Sequence, residues 1–385
     1  MADGGLRIGI AGAARGAGFV TGARAAEAQG LGRLEAVYDP SPDSAERFSR
    51  DYAVPITCAS FGELLDRVDA VVLSSPQHHH TAQAVAALDA GIHVLSEVPA
   101  AVSIAQAQQL VGAVRRSSAV YRMAENYCYI RSNLIVREMA HSGIFGDIYY
   151  GEGEYLHDVR DLQRTAGGER TWRSYWQTGR NGFTYPTHSL GPLLQWTDDR
   201  IVSVSCVGSG HHVEPQFENE DTTILLARTL KGALLRARLD MLSPRPHLMD
   251  YYSLQGTTGA YEAARATGDT PRVYMTGRSS AGAWDPLETY AGEFLPERYR
   301  TPPSGDAGHW GSDAWPILDF LETAATGETP KGTVPIDVYA ALDMSLPGIV
   351  SEDSIFEGGR WHAVPDPRKF TAGIAADPGP EAPLA

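Results

Sequence analysis

Cysteine is scarce: Cys58, Cys128 and Cys206 are the only three in 385 residues. They are too few and too scattered for a disulfide framework or a four-cysteine zinc site, which reads as a chain kept in a reducing compartment. Long apolar runs are missing too, and nothing approaches the roughly 18 consecutive apolar residues of a membrane span. Positive charge is in deficit, with 32 Lys and Arg against 47 Asp and Glu and a formal charge of −15. That balance argues against nucleic acid or an anionic membrane surface as the main partner. The opening Met-Ala-Asp-Gly-Gly runs straight into an apolar strand from Leu6, without a basic n-region or a long apolar h-region, so a cytoplasmic location is expected. What remains, 43% apolar and 21% charged residues, is the composition of an ordinary soluble globular protein. The length exceeds the roughly 250–300 residues at which single cores stop growing, so two domains are expected.

Short apolar runs recur through the first 126 residues, at Leu6–Ala11, Leu34–Tyr38, Ala70–Ser74, Ile92–Ser96 and Val120–Ala124, with Ala-rich helical stretches between them. Ser103–Arg116 shows the helical pattern: Ser103 is a good N-cap, and Ile104, Ala107, Leu110, Val111 and Val114 fall on one face. Strands separated by helices of this length pair in parallel through right-handed crossovers. Residues 1–126 are therefore expected to form a doubly wound parallel α/β sheet, a nucleotide-binding architecture. Beyond Asn126, a helix Asn133–Ser142 leads through Gly143 and Gly146 into Ile148–His157. Strand-like runs follow at Ile201–Val207, Thr222–Leu230, Leu234–Asp240 and Tyr251–Gln255 with few helices between them. This predicts a second, α+β domain over 127–365 with a largely antiparallel open sheet. The helical segments Ser312–Thr326 and Ile336–Ser351 are placed to pack back on the first domain, and 366–385, rich in Pro, Ala, Asp and Gly, reads as a disordered tail.

The first strand ends in a glycine turn, Gly12-Ala13-Ala14-Arg15-Gly16, which lets backbone approach a pyrophosphate seated on the following helix N-terminus. As G-x-G-x-x-G it is imperfect, because Ala14 stands in the second glycine's place. Asp39, after the second strand, is positioned to accept hydrogen bonds from an adenosine ribose and would repel a 2′-phosphate, which favours NAD over NADP. Ser75, Pro76 and His80 follow the third strand, and Glu97-Val98-Pro99 follows the fourth, both at the carboxyl ends that border a ligand crevice. His78, His79 and His80 in succession match no standard zinc spacing, and no metal is expected.

The glycine turn, the S-P-x-x-x-H loop, the E-x-P segment, Glu125-Asn126 and the turn Gly256-Thr257-Thr258-Gly259 resemble the Gfo/Idh/MocA oxidoreductases over roughly residues 6–350. The resemblance implies NAD contacts from Gly12, Ala13, Ala14, Arg15, Gly16, Asp39, Ser75, Pro76, His80, Glu97, Val98 and Asn126. It also implies a homo-oligomer, a dimer or larger, built on the second domain. The usual dehydrogenase pattern at the fourth strand is E-K-P, whose lysine assists proton removal from the sugar hydroxyl; Val98 cannot transfer a proton. Three segments narrow the likeness. Glu97–Ala101, Gly151–Arg160 and Arg180–Pro192 are similar to NAD-dependent glycoside hydrolases typified by bacterial α-N-acetylgalactosaminidases. That likeness implies transient oxidation at C3, loss of the C2 proton, departure of the aglycone, hydration and re-reduction. It casts Tyr185 and His188 as the catalytic pair and Tyr155 as the C2 base, with Tyr149 and Tyr150 in the same strand as competitors.

Between 156 and 185, five arginines (160, 164, 170, 173, 180) face three acids (158, 161, 169), a local reversal of the overall charge. Arginine's planar fork suits sulfonate, carboxylate or phosphate oxygens. Arg160, Arg173 and Arg180, and with them His157, Asn181 and His309 as the resemblance implies, are expected to bind a small-molecule glycoside, either an anionic hexoside such as a sulfoquinovoside or an α-N-acetylgalactosaminide. His211, His212, Tyr290, Tyr299 and the segment His309-Trp310-Gly311-Ser312-Asp313 resemble further cleft positions. Two rivals stand beside the glycosidase: an NAD-dependent sugar or inositol dehydrogenase, and a non-catalytic NAD and sugar sensor.

Overall fold

A computed structural model describes residues 5–305 and 308–371. The N-terminal sheet has six strands: β1 (Leu6–Ala11), β2 (Gly32–Tyr38), β3 (Ile56–Cys58), β4 (Ala70–Leu73), β5 (His93–Ser96) and β6 (Tyr121–Met123). Their order is β3-β2-β1-β4-β5-β6 and every pairing is parallel. This is the expected doubly wound sheet, and its order reverses between β1 and β4, where such sheets bind ligands at their carboxyl ends. β4 is buried at all four positions, as a central parallel strand covered on both faces must be. The following crossovers are capped by the serines the sequence supplies: Ser103 Oγ accepts from the Gln106 N–H at 3.2 Å, a cap worth about 1 kcal/mol. β3 was not expected, because a three-residue edge strand is too short to show alternation.

The second sheet has nine strands: β7 (Ile148–Leu156), β8 (Ile201–Gly208), β9 (Thr223–Thr229), β10 (Leu234–Asp240), β11 (Leu248–Gly256), β12 (Gly259–Glu262), β13 (Arg272–Met275), β14 (Asp285–Pro286) and β15 (His362–Ala363). The order is β14-β13-β12-β11-β7-β10-β9-β8-β15, antiparallel except where β10 lies parallel to β7. That exception follows from connectivity: a long excursion and the β8–β9 pair separate the two strands, so no hairpin forces them antiparallel. The helix Thr187–Thr197 lies against β7, toward which Gly151 and Gly153 point.

The chain divides into two compact units. The first runs to Ile130 and regains the chain at Arg298–Leu342 and from Pro367; the second comprises Arg131–Glu297 and Asp343–Asp366. The cut expected at 126 thus lies near the first crossing, and later segments return to the N-terminal unit. There the apolar helix Ala314–Thr326 packs on the helix Val20–Ala28. Of the tail expected at 366–385, Pro367–Lys369 forms a 3-10 turn and the Arg115 guanidinium donates to the carbonyls of Arg368 and Phe370. The part from 372 onward lies outside the described residues. Among those residues no helix is long and apolar enough to cross a membrane.

Candidate functional site

In the N-terminal unit the chain leaves β1 through Gly12 at φ +99°, where a Cβ would lie 2.6 Å from the Ser74 backbone. Only glycine accepts both that dihedral and that approach. The helical run begins at Ala13, and first-turn N–H groups, having no carbonyl four residues back, form a donor end for a pyrophosphate. Ala14 is exposed, while Gly16 is buried where a Cβ would lie 2.4 Å from Ile10 Cγ2, the close helix–strand packing asked of the last glycine in such turns. Asp39 accepts from the N–H of Ala13 at 2.8 Å through one oxygen and of Ser41 at 2.9 Å through the other. A carboxylate offers about four acceptor sites, so Asp39 fastens the turn and retains capacity for two ribose hydroxyls. The turn and the acid together fit NAD.

Several expected cofactor contacts are instead engaged with one another. The Arg15 guanidinium spans Glu97 at 2.5 Å and Asp313 at 2.8 Å. Asn126 Nδ2 donates to Asp313 at 2.6 Å, and His309 Nδ1 lies 3.0 Å from it. Burial opposes the charge on Asp313, but hydrogen bonds from His309 and Arg15 hold its carboxyl well below the usual carboxylate range. Burial likewise opposes the Arg15 charge, and Glu97 and Asp313 more than offset it, raising its pKa. Four residues expected to touch ligands, Arg15, Glu97, Asn126 and His309, thus form one polar cluster with Asp313, the last residue of a segment expected to line the cleft. His80 is a brace: its ring nitrogens lie 3.0 Å from the Pro99 carbonyl and 2.8 Å from that of Ser75, joining the loops after β4 and β5, and burial lowers its pKa. Ser75 Oγ donates to Gln83, Pro76 precedes the turn Gln77–His79, and the aliphatic Val98 is buried.

In the second unit, the structure brings together the three expected catalytic residues from separate segments. The Tyr155 ring centroid lies 5.3 Å from Tyr185 and 5.4 Å from His188, and Tyr185 lies 5.0 Å from His188. Strand alternation separates Tyr150 from Tyr155, and Tyr149, of the same parity as Tyr155, lies at the opposite end of β7. Tyr155 shares the face of Gly151 and Gly153, Tyr150 pairs with Glu152 on the other face, and Tyr149 is 52% exposed. The close approach depends on Gly153, where a Cβ would lie 2.2 Å from the Ser189 carbonyl oxygen. Tyr252 in β11 donates its hydroxyl to the His188 carbonyl at 2.5 Å, and the turn before Tyr185 is held by Ser351 Oγ, which accepts from the Phe183 N–H at 2.7 Å.

His157, just past β7, joins this cluster: its Nδ1 lies 2.9 Å from the Tyr155 hydroxyl, and its ring meets His247 edge-on at 4.4 Å. Burial first, then His247 and Arg173, push the His157 pKa down to about 4 against the opposing pull of Asp158. His247 was not anticipated; a lone histidine in a Pro-Arg-Pro-His loop carries no sequence signal. The expected anion-binding arginines differ in their company. Arg160 is forked by Asp158 at 2.6 Å, and Arg180 pairs with Glu352 at 2.8 Å. Arg173 instead has neutral partners, Gln177 at 3.1 Å and the Trp172 ring at 4.5 Å. Asn181 shapes its turn by accepting from the N–H groups of Gly182 and Glu220. The Tyr299 hydroxyl is bonded to Asp319, that of Tyr290 to Asp285 at 2.8 Å, and His212 lies against the Ser209 carbonyl at 2.8 Å.

Comparison with known proteins follows the same division. Residues 6–125 match the Gfo/Idh/MocA oxidoreductase family, NAD-binding Rossmann fold, and residues 129–212 and 199–375 match the glycosyl hydrolase 109 C-terminal domain. A glycosyl hydrolase family 109 protein of Solibacter usitatus is 31% identical over 80% of this chain and 72% of its own length. Another, of Streptomyces filamentosus, is 32% identical over 80% of this chain and 63% of its own. Among solved structures, an oxidoreductase domain protein from Kribbella flavida superposes with a TM-score of 0.78 at 18% identity, covering 94% of this chain and all of its own. Levoglucosan dehydrogenase in complex with NADH and levoglucosan gives 0.74 at 18% identity over the same 94% and all of its own chain. These two likenesses concern the fold.

Proposed function

Because the chain belongs to glycosyl hydrolase family 109, with the NAD-binding Rossmann domain of the Gfo/Idh/MocA oxidoreductases, we propose that it cleaves a hexoside by an oxidation, elimination and re-reduction cycle. NAD⁺, when bound, supplies the oxidation at the sugar's C3 and its later reversal, so no net oxidation occurs. In this reading the glycine turn and Asp39 hold the dinucleotide. Tyr155 takes the C2 proton, which a C3 ketone acidifies, and the aglycone leaves from C1 before water adds there. His188 carries the O3 proton that a lysine at position 98 would have carried, imidazole being the natural shuttle near neutral pH. Tyr185 faces the leaving oxygen as its acid.

The observation that carries the reading is the convergence of Tyr155, Tyr185 and His188 within 5.0–5.4 Å of one another, from a strand end and a helix start 30 residues apart. Arg173, whose partners are neutral, favours an anionic hexoside such as a sulfoquinovoside or uronide over an α-N-acetylgalactosaminide. A homo-oligomer built on the outer face of the second sheet, where Val207 and Leu234 are exposed, belongs to the same reading. A panel of nitrophenyl N-acetylhexosaminides, uronides and sulfoquinovosides tests it. Nitrophenol release without lasting absorbance at the NADH wavelength is expected. Net NADH formation on a free sugar without cleavage would replace the glycosidase by a dehydrogenase, and absence of any turnover by a sensor.

A further inference from the structure

A phenol is an awkward base at neutral pH. With an ordinary pKa near 10, only about one tyrosine in a thousand is ionised at pH 7. Tyr155 does not stand alone, however. It and His157 are two apart along one strand direction and therefore project to the same side. The ladder continues through them, since the His157 N–H donates to the Asp240 carbonyl at 2.8 Å, which fixes the pair in register. Tyr155 Oη and His157 Nδ1 lie 2.9 Å apart, the separation of a good hydrogen bond. Resting on the glycosidase reading above, we propose that His157 is the positioning residue of Tyr155. It accepts the phenol's proton at Nδ1 while the phenol oxygen collects the C2 proton, and returns it when C2 is reprotonated.

The transfer balances without an additional reactant. The C2–H bond breaks as a new O–H bond forms on Tyr155. The old Tyr155 O–H bond breaks as an N–H bond forms at His157 Nδ1. The electron pair released at C2 forms the C1–C2 double bond, and the C1–O bond breaks with its pair on the aglycone oxygen, which takes the Tyr185 proton; the water that later adds at C1 gives a proton back to Tyr185. For this His157 must arrive neutral with its lone pair at Nδ1. Burial favours the neutral ring, as do the groups that face it, His247 from the loop before β11 and Arg173 and His188 from two helices, while Asp158 beside it opposes them. A ring that merely filled space would not need Nδ1 turned to the phenol.

Two measurements test this. Imidazole ¹⁵N spectra of the full chain, without substrate, are expected to place His157 in the Nε2–H tautomer and to keep it neutral down to about pH 4. An Nδ1–H tautomer overturns the proposal, because the ring would then donate to the phenol. The second follows solvent deuterium into C2 of a cleavable glycoside. His157→Gln accepts a hydrogen bond but not a proton and is expected to fold and retain NAD. It is expected to slow C2 exchange about a hundredfold, with absorbance persisting at the NADH wavelength because the cycle stalls after C3 oxidation. His157→Leu, which removes both capacities, is expected to fall at least as far. If wild type exchanges C2 and His157→Gln exchanges equally fast, His157 has no such role. If wild type neither cleaves nor exchanges, the glycosidase reading fails and this inference fails with it.

Discussion

Replacing Gly153 by alanine isolates the packing on which the cluster of Tyr155, Tyr185 and His188 rests. The new Cβ would lie 2.2 Å from the Ser189 carbonyl oxygen, 3.1 Å from its carbon and 3.3 Å from its Cα, all backbone atoms that no rotamer change can move aside. Ordinary van der Waals contact begins near 3.4 Å, so the helix Thr187–Thr197 must retreat from β7 by roughly 1 Å. Overpacking of this kind costs about 1–3 kcal/mol, and at about 2–4 °C per kcal/mol for a domain of this size the thermal midpoint falls by several degrees. The functional loss is expected to be larger. His188 and Tyr185 travel with the helix start while Tyr155 stays on the strand, and a 1 Å misplacement can cost about a hundredfold in rate. Glycoside cleavage, thermal melting and NAD binding, measured on the same preparation, separate these effects. Cleavage should collapse, melting should shift modestly, and NAD affinity should stay within twofold because Gly12 and Asp39 belong to the other unit. Wild-type turnover in a folded Gly153→Ala protein would refute the geometry assigned to Tyr155 and His188.

Asp39→Ala removes both the acceptor proposed for the ribose and the bond to the Ala13 N–H; it is expected to weaken NAD about tenfold and narrow the preference over NADP, read by cofactor fluorescence titration. Preferential NADP binding by wild type would contradict the role of Asp39. Asp313, with its folded pKa held below the unfolded value of about 3.9, adds stability that is complete above that pH and drains away as pH falls through its folded pKa. Asp313→Asn should therefore flatten the acid limb of a stability–pH curve and cost about 2–3 kcal/mol at neutral pH. That is less than for a fully buried pair, because the Arg15 side chain keeps 34% exposure; an unchanged acid limb would discount the cluster. Arg173→Gln is expected to lower kcat/KM for uronides or sulfoquinovosides by about tenfold to a hundredfold while changing N-acetylhexosaminides little, and an equal loss on both would remove Arg173 from substrate recognition.

The sheet of the N-terminal unit was legible because parallel strands buried on both faces leave continuous apolar runs, and β1 and β10 span the same residues in sequence and structure. What escaped has physical reasons. β3 has three residues and no periodicity to display. The parallel β7–β10 pairing depends on what the intervening chain builds, which local pattern cannot reveal. Tyr185 and His188 were readable as a motif, and their distance from Tyr155 was not, since Gly153 sets it through the absence of a side chain. Arg15, Glu97, Asn126 and His309 were each legible as polar groups near a ligand. The convergence of Arg15, Asn126 and His309 on Asp313, up to 298 positions away, with Glu97 joined through Arg15, was invisible because charge partners far apart in sequence leave no local mark.

The charge inventory changes meaning in the same way. Five arginines in 156–185 locally reverse the charge of an acidic chain. Arg160 and Arg180 are spent on Asp158 and Glu352, while Arg164 donates to the Gly168 carbonyl and Arg170 lies over the Tyr175 ring; of the three arginines expected at the substrate, Arg173 alone lacks an acidic partner, and its influence is felt at His157 beside Tyr155. A single fork backed by an indole ring is suited to one small anionic substituent, since a bidentate pair gains most where no internal carboxylate competes for it. An anion bound there would also offset the charge that disfavours protonation of His157. Substrate charge and the ease of moving the Tyr155 proton would then be linked through one residue, and specificity would be expressed in the elimination step as well as in binding.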